Sequence, residues 1–214
     1  MALTIPVAHD FICPWCWVGL FQAKRLEADF GATIDWVGYE LFPDELEWPD
    51  WKPGAPAPEN KPATPSRFDL MLAAEQMKMP TAERPHKMRT HNAHEAVEYA
   101  KTEGVANELN EILYRALWER GEEINNPEVI LRLAKGTIKD LDALKSAIEN
   151  RTFAANIIGF DDPAYALGVY NVPTFFINGK RYAEQPYIAL SEAVAGEVAA
   201  EEEFFADEGE VCAL

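Results

Sequence analysis

Asp10-Phe11-Ile12-Cys13-Pro14-Trp15-Cys16 is the stretch on which the fold turns, because it sets a Cys-X-X-Cys pair between a short apolar run and a helical one. Upstream, Leu3 to His9, with Thr4, Ile5 and Val7, reads as a buried strand. Downstream, from Pro14 to Phe30, Trp17, Val18, Leu20, Phe21, Ala23, Leu26 and Phe30 recur at helical spacing, with Lys24, Arg25 and Glu27 on the other side. Gly31 closes that helix, since a left-handed residue just past the end suits glycine. Thr33 to Leu41 then places Thr33, Ile34, Trp36, Val37 and Tyr39 in a second strand. A helical crossover between the two strands makes them parallel.

Seven prolines between Pro43 and Pro65 exclude regular helix or a central strand and mark a long loop. It reads as a connector, with Trp48 and Trp51 leaving room for a lid or a partner surface. From Ser66 to Leu167 the pattern is helical: Ser66 to Met79, Pro85 to Glu103, Asn107 to Arg120, Pro127 to Lys135, Leu141 to Asn150 and Thr152 to Leu167. Strand character returns at Val172 to Ile177. Asn178-Gly179 then predicts a hairpin to Lys180–Ala183, because both turn positions want positive φ. A last helix, about Gln185 to Ala200, precedes an acidic tail carrying Glu201 to Glu203, Asp207, Glu208 and Glu210, which reads as partly disordered. The order is strand, helix, strand, a block of helices, hairpin and helix: an α/β sheet interrupted by insertion.

Composition narrows the partners. The chain has 214 residues, 48% of them apolar, enough for a substantial core. A formal charge of −17 argues against nucleic acid and anionic membranes, which would repel it. No apolar run approaches the roughly 20 residues of a membrane-spanning helix, and Met1 to His9 lacks the basic and apolar regions of a signal peptide. A cytoplasmic protein is expected. Three cysteines do not make a disulfide scaffold, so a close pair there points to redox or metal chemistry.

A cysteine at the junction of strand and helix lies where unpaired amide N–H groups favour a thiolate. That argument selects Cys13 as the attacking thiol. Pro14 fits the first helical turn, where its missing N–H has no partner to lose. Cys16, three residues on, is near enough to form a bridge and lies deeper, as a resolving thiol would. Two other readings stay open. The pair could be half of a zinc site, although Cys212 is the one remaining cysteine and no second ligand pair has the usual spacing; no metal and no cofactor are expected. It could also be two incidental buried cysteines. Val172-Pro173-Thr174, opening a strand far along the chain, adds a backbone edge on which an extended substrate could pair.

These motifs together resemble the DsbA family of thioredoxin-fold proteins, and within it the FrnE-like, often cytoplasmic branch. Asn92-Ala93-His94-Glu95-Ala96, Leu113-Tyr114-Arg115-Ala116-Leu117-Trp118 and Gln185-Pro186 fit that branch as well. The resemblance implies a thioredoxin-like domain in two segments, residues 1–42 and 168–200. The Pro-rich loop 43–65, a large inserted helical subdomain 66–167 and the tail 201–214 complete the chain. It also implies disulfide oxidoreductase or isomerase activity on protein disulfides or small thiols such as glutathione, with Pro173 cis and facing the cysteines. Pro14, Trp15, Val172 and Pro173 are then the substrate-binding residues.

Departures qualify the likeness. Pro14-Trp15 stands where the periplasmic oxidants carry Pro-His, so their strongly oxidising potential does not transfer. Val7 stands six before Cys13, where many thioredoxin-like proteins hold a buried acid; Asp10 is read as a turn former. His91 and His94, three apart, read as a solvated or capping helix surface, with a groove-facing position beside Cys13 and a metal-binding pair as the alternatives. Trp15 is expected at the groove, Trp17 in the core, and Cys212 as a free tail thiol. A second family reading is a glutathione-dependent isomerase or transferase resembling the kappa-class transferases and the hydroxychromene-carboxylate isomerases. Those normally have Ser at the position of Cys13 and no second cysteine. A non-catalytic redox sensor is the third.

Overall fold

The computed structural model describes residues 3–48, 64–160 and 167–197. The opening unit forms as its periodicity predicts. Strand β1 (Thr4–His9) leads into helix α1 (Pro14–Phe30), and Gly31, at φ 64°, turns the chain into β2 (Thr33–Glu40). β1 and β2 are parallel, in register from Thr4 opposite Thr33 to His9 opposite Gly38.

The helical block follows as α2 (Arg67–Ala74), α3 (His91–Glu103), α4 (Ala106–Arg120), α5 (Pro127–Ala134) and α6 (Leu141–Asn150). Ser66 opens α2 with a reciprocal capping box to Asp69. Three boundaries differ from the sequence expectation, each for a local reason. α2 ends at Ala74 because Gln76 is left-handed, at φ 55°. α3 begins only at His91, because Lys87 is left-handed, at φ 55°. The expected helix Thr152 to Leu167 does not form over its described part. After the left-handed Arg151 there is one short 3-10 turn (Ala154–Asn156), and then strand β3 (Ile158–Gly159) pairs in parallel with Tyr39 and Glu40. A sheet edge at β2 captures this segment.

β4 (Thr174–Ile177) and β5 (Lys180–Ala183) make the predicted hairpin, with Asn178 at φ 46° and Gly179 at φ 69°. Residues 187–197 are helical (α7). The sheet order is β3-β2-β1-β4-β5, β4 running antiparallel to β1 through Val7–Phe175 and Ala8–Thr174. β1 is therefore central, and the cysteine turn leaves from its C-terminal end.

α3 packs on β2, α4 and α6, and a single apolar core joins sheet and helices. Trp17 of α1 stacks on Trp118 of α4, ring centroids 6.0 Å apart, and Phe11 packs on Tyr114 at 4.7 Å. The expectations for Trp51, for most of the Pro-rich loop and for the acidic tail with Cys212 lie outside the described residues.

Candidate active site

Cys13 is the N-cap of α1, with extended φ and ψ, and Pro14 takes the first helical position. The Cys13 carbonyl accepts the first helical amides, from Cys16 and Trp17, at 3.1 and 3.2 Å. The Cys13 side chain makes no capping hydrogen bond of its own, so its sulfur stays at the positive end of the helix. Both cysteines are free thiols, and Cys13 retains 6% exposure against 1% for Cys16. Burial pushes the Cys16 thiol well above its ordinary pKa, with the adjoining Cys13 sulfur acting in the same direction.

The chain-distant segment closes on this turn. The Cys13 thiol donates to the Val172 carbonyl at 3.3 Å, and the Val172–Pro173 peptide is cis. Gly19 permits the approach: a Cβ there would lie 3.0 Å from Pro173 Cγ and 3.1 Å from its Cβ. Pro14 is exposed. Trp15 is half-buried, edge-on to Phe68 at 5.0 Å, with the Arg67 guanidinium over its ring at 5.1 Å. Trp15, Arg67, Leu70, Met71, Glu184 and Pro186 line an open cavity of about 380 Å³ beside the motif, spanned by an Arg67–Glu184 ion pair at 2.8 Å. Trp17 is buried.

Asp10 is fully buried and shapes the turn through both carboxylate oxygens, accepting from the Ile12 amide at 3.3 Å and the Leu41 amide at 2.8 Å. Helix α4 holds the same turn from behind. Tyr114 donates to the Asp10 carbonyl at 3.2 Å and Trp118, one turn on, donates its indole N–H to the Phe11 carbonyl at 2.8 Å.

His91 and His94 are not on a solvated surface. Both are buried, because the stripe that α3 turns to the sheet is largely alanine and leaves room for them. His91 Nδ1 lies 3.0 Å from Glu40 Oε2, and its Nε2 lies 3.4 Å from Glu95 Oε1. His94 Nε2 is 3.8 Å from Asp10 Oδ1, and its ring fills the space left by Gly38, where a Cβ would come within 2.9 Å of His94 Nδ1. His94 thus stands behind the cysteine turn, in the interior and not in an open groove.

Sequence reasoning missed His9 and Tyr114. His9 is fully buried, its Nδ1 is 2.9 Å from the Tyr114 hydroxyl, and its ring lies 5.1 Å from that of His94. A histidine closing an otherwise apolar strand was the signal available. Burial holds His9 well below the ordinary imidazole range, with His94 and Lys101 adding to the effect. Among the described residues no three His, Cys, Asp or Glu side chains converge as a metal site, and no helix is long and apolar enough to cross a membrane.

Residues 4–197 match the model of the DSBA-like thioredoxin domain. The chain is 26% identical over 165 residues to the uncharacterised protein YwbO of Bacillus subtilis (strain 168), covering 72% of this chain and 75% of that one. Among solved structures it superposes on the cytosolic disulfide reductase DsbM from Pseudomonas aeruginosa with a TM-score of 0.63 at 16% identity, over 94% of this chain and 99% of the other. DsbM has also been solved with GSH. A 2-hydroxychromene-2-carboxylate isomerase matches with a TM-score of 0.61 at 14% identity, over 95% and 99%. At these identities the structures show a shared fold.

Proposed function

The chain belongs to the DSBA-like thioredoxin domain family, and on that premise we propose that it is a dithiol–disulfide oxidoreductase or isomerase of the FrnE-like branch, working through Cys13 and Cys16. The observation that carries the reading is the position of the Cys13 sulfur, at the N-terminus of α1 and 3.3 Å from the Val172 carbonyl. The Cys13 thiolate attacks one sulfur of a substrate disulfide, forming a mixed disulfide and releasing the other sulfur as a thiol. Cys16 then attacks Cys13, releasing the second substrate thiol and leaving the enzyme disulfide. The oxidised enzyme runs the same steps in reverse.

Pro14, Trp15, Val172 and Pro173 are assigned to substrate binding, the cavity beside Trp15 taking the substrate's flanking groups. Protein disulfides and glutathione-type small thiols are the proposed partners, the latter supported by the GSH complex of DsbM, and its description as cytosolic supports a cytoplasmic setting. The second sulfur, Cys16, favours this reading over glutathione-dependent isomerisation, which needs only one nucleophilic position.

Reduction of insulin by dithiothreitol tests it. Wild type accelerates the reaction, and both Cys13→Ser and Cys16→Ser abolish the acceleration. Cys16→Ser accumulates mixed disulfides through Cys13. Turnover that survives Cys13→Ser overturns the assignment. A reduction potential measured against glutathione sets the direction of electron flow, about 30 mV corresponding to a tenfold change in the equilibrium.

A further inference from the structure

Two clefts adjoin the cysteine motif, one lined by Trp15 and the other by Ile12, and they differ in charge. The cleft at Trp15 is neutral, because the Arg67 guanidinium is paired with Glu184 at 2.8 Å. The other, about 370 Å³, runs from Ile12, the chain neighbour of Cys13, to Arg84, His86 and Lys87, with Glu83 also on its lining. In a chain of formal charge −17, ion pairs take up most cations near the motif: on α1, Lys24 pairs with Glu111 and Arg25 with Glu75. Arg84, His86 and Lys87 are exposed, and among the described residues none of the three has an ion pair.

Arg84 is held in place without being neutralised. Its guanidinium lies over the Trp118 ring, 3.7 Å from the centroid, so the indole takes the face of the cation and leaves its N–H edge open. The same indole donates its N–H to the Phe11 carbonyl at 2.8 Å, which ties Arg84 to the turn that carries Cys13. Gly121, the left-handed cap of α4, makes the seat: a Cβ there would collide with the carbonyl of Glu83, the residue before Arg84. A fork of donors on a fixed edge suits a carboxylate, which accepts two parallel hydrogen bonds, and Lys87 adds a second charge on a flexible stem.

We propose that Arg84, with Lys87, is the specificity determinant for disulfides that carry a carboxylate beside the reacting cysteine, small disulfides of the glutathione type. The inference rests on the dithiol reading above and names the substrate class of that site. As Cys13 attacks, one carboxylate of the disulfide lies in the Ile12 cleft on the Arg84 edge, and the neutral cleft at Trp15 takes an uncharged part of the substrate. The bonds made and broken are those of the exchange already given; Arg84 binds and moves no proton. The acidic surface elsewhere repels an anionic disulfide, so a cationic cleft at the motif also steers it toward Cys13.

The test compares two probes on the reduced full-length protein: glutathione disulfide, an anion, and hydroxyethyl disulfide, which has no charge. The readout is the second-order rate at which the Cys13 and Cys16 thiols are lost, followed by acid quenching and mass measurement. Arg84→Gln lowers the rate with glutathione disulfide by about tenfold, the scale of a charge-assisted hydrogen bond. It leaves the rate with hydroxyethyl disulfide at the wild-type value. Lys87→Gln costs about threefold with the same selectivity, the scale of an exposed ion pair. Arg84→Lys, which keeps the charge and loses the fork, falls between wild type and Arg84→Gln. Added salt slows wild type with glutathione disulfide only.

A wild-type rate for Arg84→Gln with glutathione disulfide overturns the proposal. So does an equal loss with both probes, which would make Arg84 a support of the turn through Trp118. If Arg84→Gln does not fold, Lys87→Gln and the salt dependence decide by the same criteria. A wild-type protein whose thiols react with neither probe takes down the dithiol reading itself; reaction with both, at rates that no variant changes, removes only the role of the Ile12 cleft.

Discussion

The Cys13 thiol donates to the Val172 carbonyl at 3.3 Å, although 159 positions separate the two residues. The contact joins the N-terminus of α1 to the segment that enters β4, so the sulfur and the Val172 carbonyl meet at one place. In the proposed reaction, substrate backbone and sulfur arrive at one place.

That junction depends on the absence of a side chain at Gly19. Gly19→Ala puts a methyl group 3.0 Å from Pro173 Cγ, inside van der Waals contact, so Pro173 or α1 must shift by a few tenths of an ångström. A loss of about 1–3 kcal/mol in urea unfolding is expected, with slower reaction of Cys13 with dithiobis(nitrobenzoate). Unchanged stability and rate would show that the shift is made without cost.

Trp118→Phe leaves the Phe11 carbonyl without its indole donor in a buried setting. The expected destabilisation is about 1–3 kcal/mol, the cost of an unsatisfied buried acceptor. Equilibrium denaturation measures it. Wild-type stability would mean that the turn holds itself without α4.

Stability should fall on acidification through His9. Its folded pKa lies below the unfolded value of 6.5, so the unfolded chain binds the extra proton. The contribution is fully present above pH 6.5 and is lost as pH falls toward the folded value. Glu95, raised mainly by burial, acts in the opposite sense: its contribution is present below pH 4.5 and lost as pH rises through its folded value. Unfolding free energies measured between about pH 7.5 and pH 5 should decline in wild type, and His9→Gln should flatten the slope. Equal slopes would remove His9 as the cause.

Alkylation should distinguish the two active-site thiols. Brief iodoacetamide treatment of the reduced protein near neutral pH is expected to modify Cys13 well ahead of Cys16, which is the more deeply buried and whose pKa burial has raised. Peptide mapping gives the ratio. Equal labelling in the folded protein would contradict the assigned order of attack.

Short-range rules were enough for much of this. Proline after Cys13, glycine after Phe30 and Asn178-Gly179 act within a few residues of themselves, and the helix start, helix stop and hairpin all stand where they were read. Longer-range placement was not legible. Helical spacing put His91 and His94 on one face of α3, but it could not tell whether sheet or solvent covered that face. Ile158 and Gly159 look helical until an open edge at β2 is there to take them.

By itself the sequence determined the strand, cysteine pair and helix, because each depends on backbone preferences of adjacent residues. Tertiary structure alone decided what stands behind the cysteine turn: Tyr114 on the Asp10 carbonyl, His9 against Tyr114, and Trp118 on the Phe11 carbonyl. The His9–Tyr114 pair spans 105 positions, and no local propensity encodes a hydrogen bond that exists only after α4 has packed against β1 and β2.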